Sequence, residues 1–362
     1  MRFATSAAGG SRGLAVGTSA RPRLAARDHA HVPNAAFQQS ALASPAPRRR
    51  SSTLAASSAA SITDAEASAE SLPSLPYTPY KGVEQGWWVW KGSGDRPTTR
   101  IRYQKSETCS DEEAPVVLLV HGFGGNCDHF RKNIGALSGS ARVYSIDLLG
   151  YGYSDKPSPY EHADGAPNAL YNFYTWADQL NAFLDEVVRP GGRKVMLVCN
   201  SVGSIAGLQA IRDRDGEGYG GIMLLNPSLR LLHKTKQAWF ARPFVTLFQR
   251  FLRETPAGAL FFAQVATPRA VSNILKEAYH DAGAVTDELV QCVLRPGLQP
   301  GAVQVFLDFL SYSGGPLPEE LIPQMPCPVE ILWGEKDRKS NHTYMHMRAH
   351  PPFLSWCARF AH

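Results

Sequence analysis

The chain has no apolar run approaching the roughly 18–20 residues needed to cross a bilayer as a helix. Its longest apolar stretches, "APVVLLV" and "GALFFAQVA", suit a buried strand and a buried helix. A spanning helix is therefore excluded, and a peripheral membrane contact is left open. Cysteine is sparse: Cys109, Cys127, Cys199, Cys292, Cys327 and Cys357, none in a CxxC pair and none at zinc-module spacing. They read as free thiols in a reducing interior, with packing as the role of Cys127 and Cys199. Acids are almost missing from the first 63 residues, which hold eight arginines, no lysine and Asp28 alone. That segment carries about +7 against a whole-chain charge of +5, leaving −2 for the rest. No basic excess remains for a nucleic-acid partner. The segment also lacks the compact apolar block of a secretory signal. Its Ala-, Ser- and Arg-rich composition is that of an organellar transit peptide over 1–63, plastid first and mitochondrion as the alternative.

With 44% hydrophobic and 19% charged residues, the remainder reads as a globular domain with a sizeable core. Residues 64–80, which end in "SLPSLPYTPY", read as a Pro-punctuated linker. From 81 to 228, strands and helices alternate. "WWVW" and "TTRIRYQ" predict two strands. "APVVLLV" is a fully apolar strand entering the loop "HGFGG". "NCDHFRKNIGAL" has helical spacing at Phe130, Ile134 and Leu137. "ARVYSID" is a strand ending at Asp147, "TWADQLNAFLDEVV" an amphipathic helix that Thr175 can cap, and "KVMLVCN" and "GGIMLLNPS" two further strands. Apolar strands alternating with helices predict a mostly parallel, doubly wound α/β sheet covered on both faces. Residues 229–326 break the pattern with Pro- and Gly-interrupted helical stretches and read as a helical cap. "CPVEILWGEKD" (327–337) then returns to the sheet. The cap aromatics Trp239, Phe240, Phe244, Phe248, Phe251, Phe261 and Phe262 are expected to form the cap's core or an apolar pocket.

The candidate chemistry sits at "VCNSVGS". A Gly-x-Ser-x-Gly turn between strand and helix presents a serine as a nucleophile, and its neighbours must be small because backbone packs on backbone there. Here Cys199 stands where the first glycine would be and Gly203 keeps the second place, making Ser201 the candidate nucleophile. The competing reading is a strand end with a helix-capping serine. Acyl transfer also needs backbone N–H groups aimed at the developing oxyanion. Val202, next after the serine, supplies one; Phe123 of "HGFGG" supplies the other. The spacing of that glycine loop is not GxGxxG, which argues against a dinucleotide site. The acid that orients a base is assigned to Asp337, since the earlier strand end carries Asn226. Asp147 and Asp155 are expected to hold loops, and His129 and His233 to pack.

The motifs "VHGFGGNCDHFRKNI", "YSIDLLGYGYSDKP", "CNSVGS" and "CPVEILWGEKD" together resemble the α/β-hydrolase fold. The resemblance is to the chloroplast hydrolase group related to pheophytinases and chlorophyll dephytylases. It implies a serine hydrolase with no cofactor and no metal, acting on a small apolar carboxylic ester in the plastid through an acyl-enzyme on Ser201. A lipid, phytyl or carotenoid-like ester is favoured over a sugar ester. Epoxide hydrolases and haloalkane dehalogenases are disfavoured, since they carry Asp at the place of Ser201. The family pattern continues past the acid with a helix, a last strand and a Gly-His turn bearing the base. Here 338–362 reads "RKSNHTYMHMRAHPPFLSWCARFAH", with no apolar strand and no Gly-His. The expectation is an aberrant tail, a missing last strand and helix, and an enzyme impaired by loss of its histidine. His342, His346 and His350 are spaced by four, as a metal stripe or surrogate base would be, though an exposed His-rich tail is the simpler reading. The alternative function is a non-catalytic ligand-binding pseudo-enzyme. Oligomeric state is not legible.

Overall fold

The computed structural model describes residues 72–94, 96–111, 113–159, 170–188, 191–231 and 233–334. The expected transit segment 1–63, Asp337 and the tail 338–362 with its histidines lie outside the described residues. So does the question of a last strand and helix.

Seven strands form one sheet: β1 (Val83–Trp90), β2 (Thr99–Ser106), β3 (Val116–Val120), β4 (Arg142–Ile146), β5 (Val195–Asn200), β6 (Tyr219–Leu225) and β7 (Val329–Leu332). Their spatial order is β1-β2-β4-β3-β5-β6-β7. β1 and β2 join antiparallel, and β4, β3, β5, β6 and β7 run parallel. β3 is apolar throughout because both its faces are covered. Val116, Leu118 and Val120 enter one core cluster and Val117 and Leu119 the other. The helices α1 (Arg131–Leu137), α2 (Phe173–Phe183) and α3 (Val202–Asp213) supply the cover. Trp176, Leu180 and Phe183 of α2 and Ile205, Leu208 and Ile211 of α3 pack on one face; Ile134 of α1 packs on the other.

After β6 the chain runs through α4 (Arg242–Glu254), α5 (Pro256–Val265), α6 (Pro268–Ala278), α7 (Asp287–Gly297), α8 (Ala302–Leu310) and the short α9 (Pro318–Leu321) before β7. Leu321 of α9 and Val305 of α8 are part of the main core cluster, so the C-terminal portion of the helical block rests on the sheet domain.

Three expectations are corrected. The helix expected to be capped by Thr175 begins earlier, at Phe173. Asn172 is its cap, accepting the Thr175 N–H at 2.9 Å, while Thr175 is buried inside the first turn. The end of the expected linker is bound to the core. Tyr77 donates to Asp128 Oδ1 at 2.9 Å and accepts from Gln104 at 2.7 Å. The cap aromatics are not a common core: Trp239, Phe240, Phe244, Phe248 and Phe251 face outward, while Phe261 and Phe262 line a cavity.

The loops around the sheet's C-terminal edge hang from a buried charge cluster. Arg102 on β2 is fully buried between two carboxylates. It donates to Asp128 at 2.7 Å and to Asp147 at 3.3 Å, and its Nε reaches Gln85 at 2.9 Å. Asp147, at the end of β4, accepts from the Cys127 N–H at 2.6 Å and the Tyr153 N–H at 2.9 Å. Asp155 accepts from the backbone N–H and guanidinium of Arg100. Both acids thus hold loops. Burial alone would raise the Asp147 carboxyl, but Arg102, His121 and the Cys127 hydrogen bonds outweigh it and hold it below the usual carboxylate range. The sign for stability follows. Asp147 contributes above its unfolded pKa, and that contribution is lost as pH falls through its lower folded value. Replacing Arg102 with Met leaves two buried carboxylates without their cation. The expected cost is about 3–5 kcal/mol, read as a lower urea midpoint at neutral pH. The deficit should shrink in acid, where the Asp147 carboxyl protonates.

Candidate active site

β3 is the switch point of the sheet: the chain leaves it for β4 on one side and returns to β5 on the other. Ligands in open α/β sheets bind outside the carboxyl ends of the strands at such a point. In the parallel register Val120 pairs with Cys199, Asn200 with Leu225, and Leu225 with Leu332. The ends of β3, β5, β6 and β7 therefore lie side by side.

Ser201 occupies the turn between β5 and α3 with φ 51° and ψ −117°, a left-handed conformation costly for a residue with a Cβ. Its N–H donates to Leu225 O at 3.0 Å, and its carbonyl accepts from Ser204 N at 3.1 Å and Ser228 N at 3.2 Å. These bonds hold the strained turn from both sides. The side chain makes no capping bond to α3, so the helix-capping reading does not hold. Gly203 explains the tightness. A Cβ there would stand 2.3 Å from His121 O, and one at Gly122 would stand 2.9 Å from the Ser201 Cβ. The two loops touch backbone to backbone, which is why the motif tolerates no side chain at either place. Cys199 is buried, and its Sγ lies where a Cβ on Gly207 would go, at 2.7 Å. Burial pushes its thiol up, so it is a packing group.

His121 is buried and fixed at both nitrogens. Leu148 N–H donates to its Nε2 at 3.0 Å, so Nδ1 carries the proton and donates to Gly122 O at 2.8 Å. Burial lowers its pKa against the opposing pull of Asp147 and the Gly122 carbonyl. It is thus neutral near pH 7 and a holder rather than a base. Gly125 N–H also donates to Gly122 O, at 3.0 Å. Across a trans peptide, the Phe123 N–H points opposite to the Gly122 carbonyl. Fixing that carbonyl therefore fixes the direction of the Phe123 N–H. Val202 opens α3, so its N–H lies in the first turn, where no intrahelical acceptor exists.

Phe123, Ser201 and Val202 line one cavity of about 460 Å³, together with Asn226, Arg230, His233, Phe309, Tyr312 and Trp333. His233 is tied as well. Its Nε2 donates to Gly315 O at 3.1 Å, and its Nδ1 lies 2.7 Å from the Thr235 hydroxyl. Burial lowers its pKa. A second, apolar cavity of about 400 Å³ lies beyond Phe123, the one residue common to both linings. It is walled by Phe261, Phe262, Phe306, Val271 and Leu294 and also touched by His129 and Lys156. The Phe123 ring stands 5.4 Å from the rings of both Phe306 and Phe309 and so forms the partition. His129 is lowered to about 4, by burial first and then by His121 and Arg131.

Two residues of the cavity wall escaped sequence reasoning. Arg230 lines the Ser201 cavity, stacks over Phe173 at 4.5 Å and Tyr312 at 5.0 Å, and donates to Gly314 O, joining the start of the cap to its end. Its signal, an arginine soon after a strand end, is too common to single out. Asn226 was dismissed as a carboxylate, yet its N–H donates to Leu332 O at 2.9 Å and its Oδ1 accepts Gly334 N–H at 3.1 Å. It ties the end of β6 to the end of β7. Among the described residues no group of His, Cys, Asp and Glu is arranged to hold a metal.

The strain at Ser201 has a measurable consequence. Ser201→Gly relieves the left-handed backbone, whereas Ser201→Ala keeps it. The Gly variant should be more stable than the Ala variant by about 1 kcal/mol in urea denaturation, although glycine is ordinarily the destabilising choice.

The chain matches the model of the alpha/beta hydrolase family over residues 117–361. That range includes 338–361, so the family match extends over the segment expected to be an aberrant tail. Over 267 residues the chain is 24% identical to chloroplastic pheophytinase of Arabidopsis thaliana, covering 61% of this chain and 50% of that protein. It thus spans about half the length of pheophytinase. It is 22% identical over 223 residues to the uncharacterized hydrolase YugF of Bacillus subtilis, covering 62% of this chain and 73% of that one. The Cif epoxide hydrolase of Acinetobacter nosocomialis aligns with a TM-score of 0.51 at 14% identity, over 72% of this chain and 76% of the other, a likeness of fold alone. Strand order, switch-point site and family match agree: the chain belongs to the alpha/beta hydrolase family.

Proposed function

We propose that this hydrolase-family chain is a serine hydrolase of apolar carboxylic esters, with Ser201 as nucleophile. The observation that carries the proposal is the strained turn at Ser201, locked against the Val120 and His121 carbonyls by Gly203. Strain of this kind persists where the surrounding structure imposes it, and it lifts the hydroxyl out of the sheet edge. Ser201 Oγ attacks the ester carbonyl, and the Phe123 and Val202 N–H groups hold the tetrahedral oxyanion. The alcohol leaves, and water hydrolyses the acyl-enzyme. Asp337 orients the base. No cofactor takes part. The apolar character of both cavities favours a lipid or phytyl-like ester. A plastid location is supported by the composition of residues 1–63 and by the chloroplastic name of the pheophytinase relative.

The base is the weak part of this assembly. His121 and His233 have both nitrogens engaged, and His129 lines the cavity beyond Phe123. None of these three is placed to serve as the base, which leaves that role to histidines outside the described residues, His342, His346 and His350 among them. With these histidines engaged elsewhere the enzyme is slow, because a serine without an engaged base holds its proton and is a poor nucleophile. The same engaged histidines favour the second reading, a ligand-binding protein that keeps the cavity without turnover.

A fluorophosphonate probe with Ser201→Ala as control separates these readings. Slow labelling confined to Ser201, about a thousandfold below a complete triad, is expected for the impaired enzyme. Fast stoichiometric labelling sinks the impairment, and no labelling at all leaves the binding protein. The Phe123 partition gives a further prediction. Phe123→Ala keeps the backbone N–H but joins the two cavities. The preferred acyl length in a nitrophenyl ester series should move to longer chains, with kcat/KM for the longest esters rising about tenfold relative to the shortest.

A further inference from the structure

Helix α4 is amphipathic the wrong way round for a helix of a globular domain. Two of its polar residues, Gln249 and Arg253, face the protein. Gln249 donates to Leu310 O at 3.3 Å and accepts from Ser313 Oγ at 3.2 Å, and Arg253 pairs with the buried Asp308 at 3.5 Å. Leu252 is buried with them, but four apolar residues face outward: Phe244 is 74% exposed, and Leu247, Phe248 and Phe251 are exposed with it. Their spacing of three, four and seven places them on one stripe. Just before the helix, Trp239 is 79% exposed and stacks edge-on against the exposed Phe240. Exposed apolar surface of this size marks a partner.

We propose that this face docks the cap on a lipid surface bearing anionic headgroups. The charge pattern selects that occupant. Between 230 and 254 the chain holds six basic residues and one acid. Lys234, Lys236, Arg242 and Arg250 are exposed beside the apolar stripe. The facing carboxylates are Glu254, paired with Arg250 at 2.7 Å, and Glu319, paired with Lys236 at 2.5 Å. A second copy of the same face would set these cations against their own kind, whereas anionic headgroups complement them. A helix of 13 residues is far too short to span a bilayer and suits one lying in the interface. The apolar surface also continues to the cavities: Leu231 is exposed and lines the Ser201 cavity, and Phe261 and Ile274 are exposed and line the second. A docked cap would thus bring both rims to the lipid. The proposal goes beyond the hydrolase reading and does not depend on turnover.

The test is co-sedimentation of the full chain with vesicles of phosphatidylcholine, with and without phosphatidylglycerol, at low and high salt. Binding is expected to the anionic vesicles and to weaken with salt. Phe244→Ser combined with Phe248→Ser should lower partitioning at least about tenfold, with circular dichroism unchanged because both side chains are exposed. Arg242→Gln combined with Arg250→Gln should lower it several-fold and flatten the salt dependence. Equal binding by wild type and the double Phe variant overturns the proposal. So does failure of the wild type to bind anionic vesicles, or a dimer in vesicle-free buffer that the Phe substitutions dissolve.

Discussion

The close contact of two backbones at the ends of β3 and β5 organises everything at the carboxyl edge of the sheet. Gly203 lies directly under the His121 carbonyl, and Gly122 lies against the Cβ of Ser201. No side chain can enter this contact. The loop after β3 and the turn after β5 are therefore held at one fixed separation, and one cannot move without the other. A nucleophile and an N–H donor carried on two different loops need such a constraint, since a shift of an ångström costs most of the benefit of placing them together.

That contact is itself held in place by charge. Arg102 reaches from an antiparallel strand to Asp128 after the β3 loop and Asp147 at the end of β4. Asp147 in turn holds Cys127 and Tyr153, and a neutral His121 ties Gly122 to Leu148. The cluster contributes little to net stability compared with an apolar packing of the same volume. Its value here is geometric, since a planar guanidinium between two carboxylates accepts one arrangement.

The cap follows a different logic from the sheet. Its inner side lends Phe306 and Phe309 to the partition at Phe123, and Arg230 and His233 hold its start to its end through Gly314 and Gly315. Its outer side carries aromatics into solvent and basic residues beside them. Both apolar cavities open next to that side. Hydrolase-family membership, apolar cavities and an apolar outer face are mutually consistent for a chain that meets its substrate at an interface.

How much of this the sequence carries depends on how local each cause is. The alternation of apolar strands and helices was legible because β3 and β5 are buried on both faces and must be apolar throughout. Ser201 was legible because a strained turn between strand and helix forces small neighbours, a cause confined to a few residues. Arg102 was not, since an arginine in an alternating strand looks like one that faces water. The cap was misjudged for the converse reason: an apolar helical stripe looks the same whether it faces the protein or the solvent. The N-cap of α2 was misplaced because Asn172 and Thr175 both suit a helix start and only the path of the chain chooses between them. By itself, then, the sequence determined the sheet, the elbow and the two loops that meet there, because each is set by short-range sterics and by burial on both faces. The tertiary structure alone decided that Arg102 is buried between two acids, that the cap's aromatics face outward, and that Phe123 divides two cavities. Each of those depends on which distant segment lies opposite a side chain, which no local pattern records.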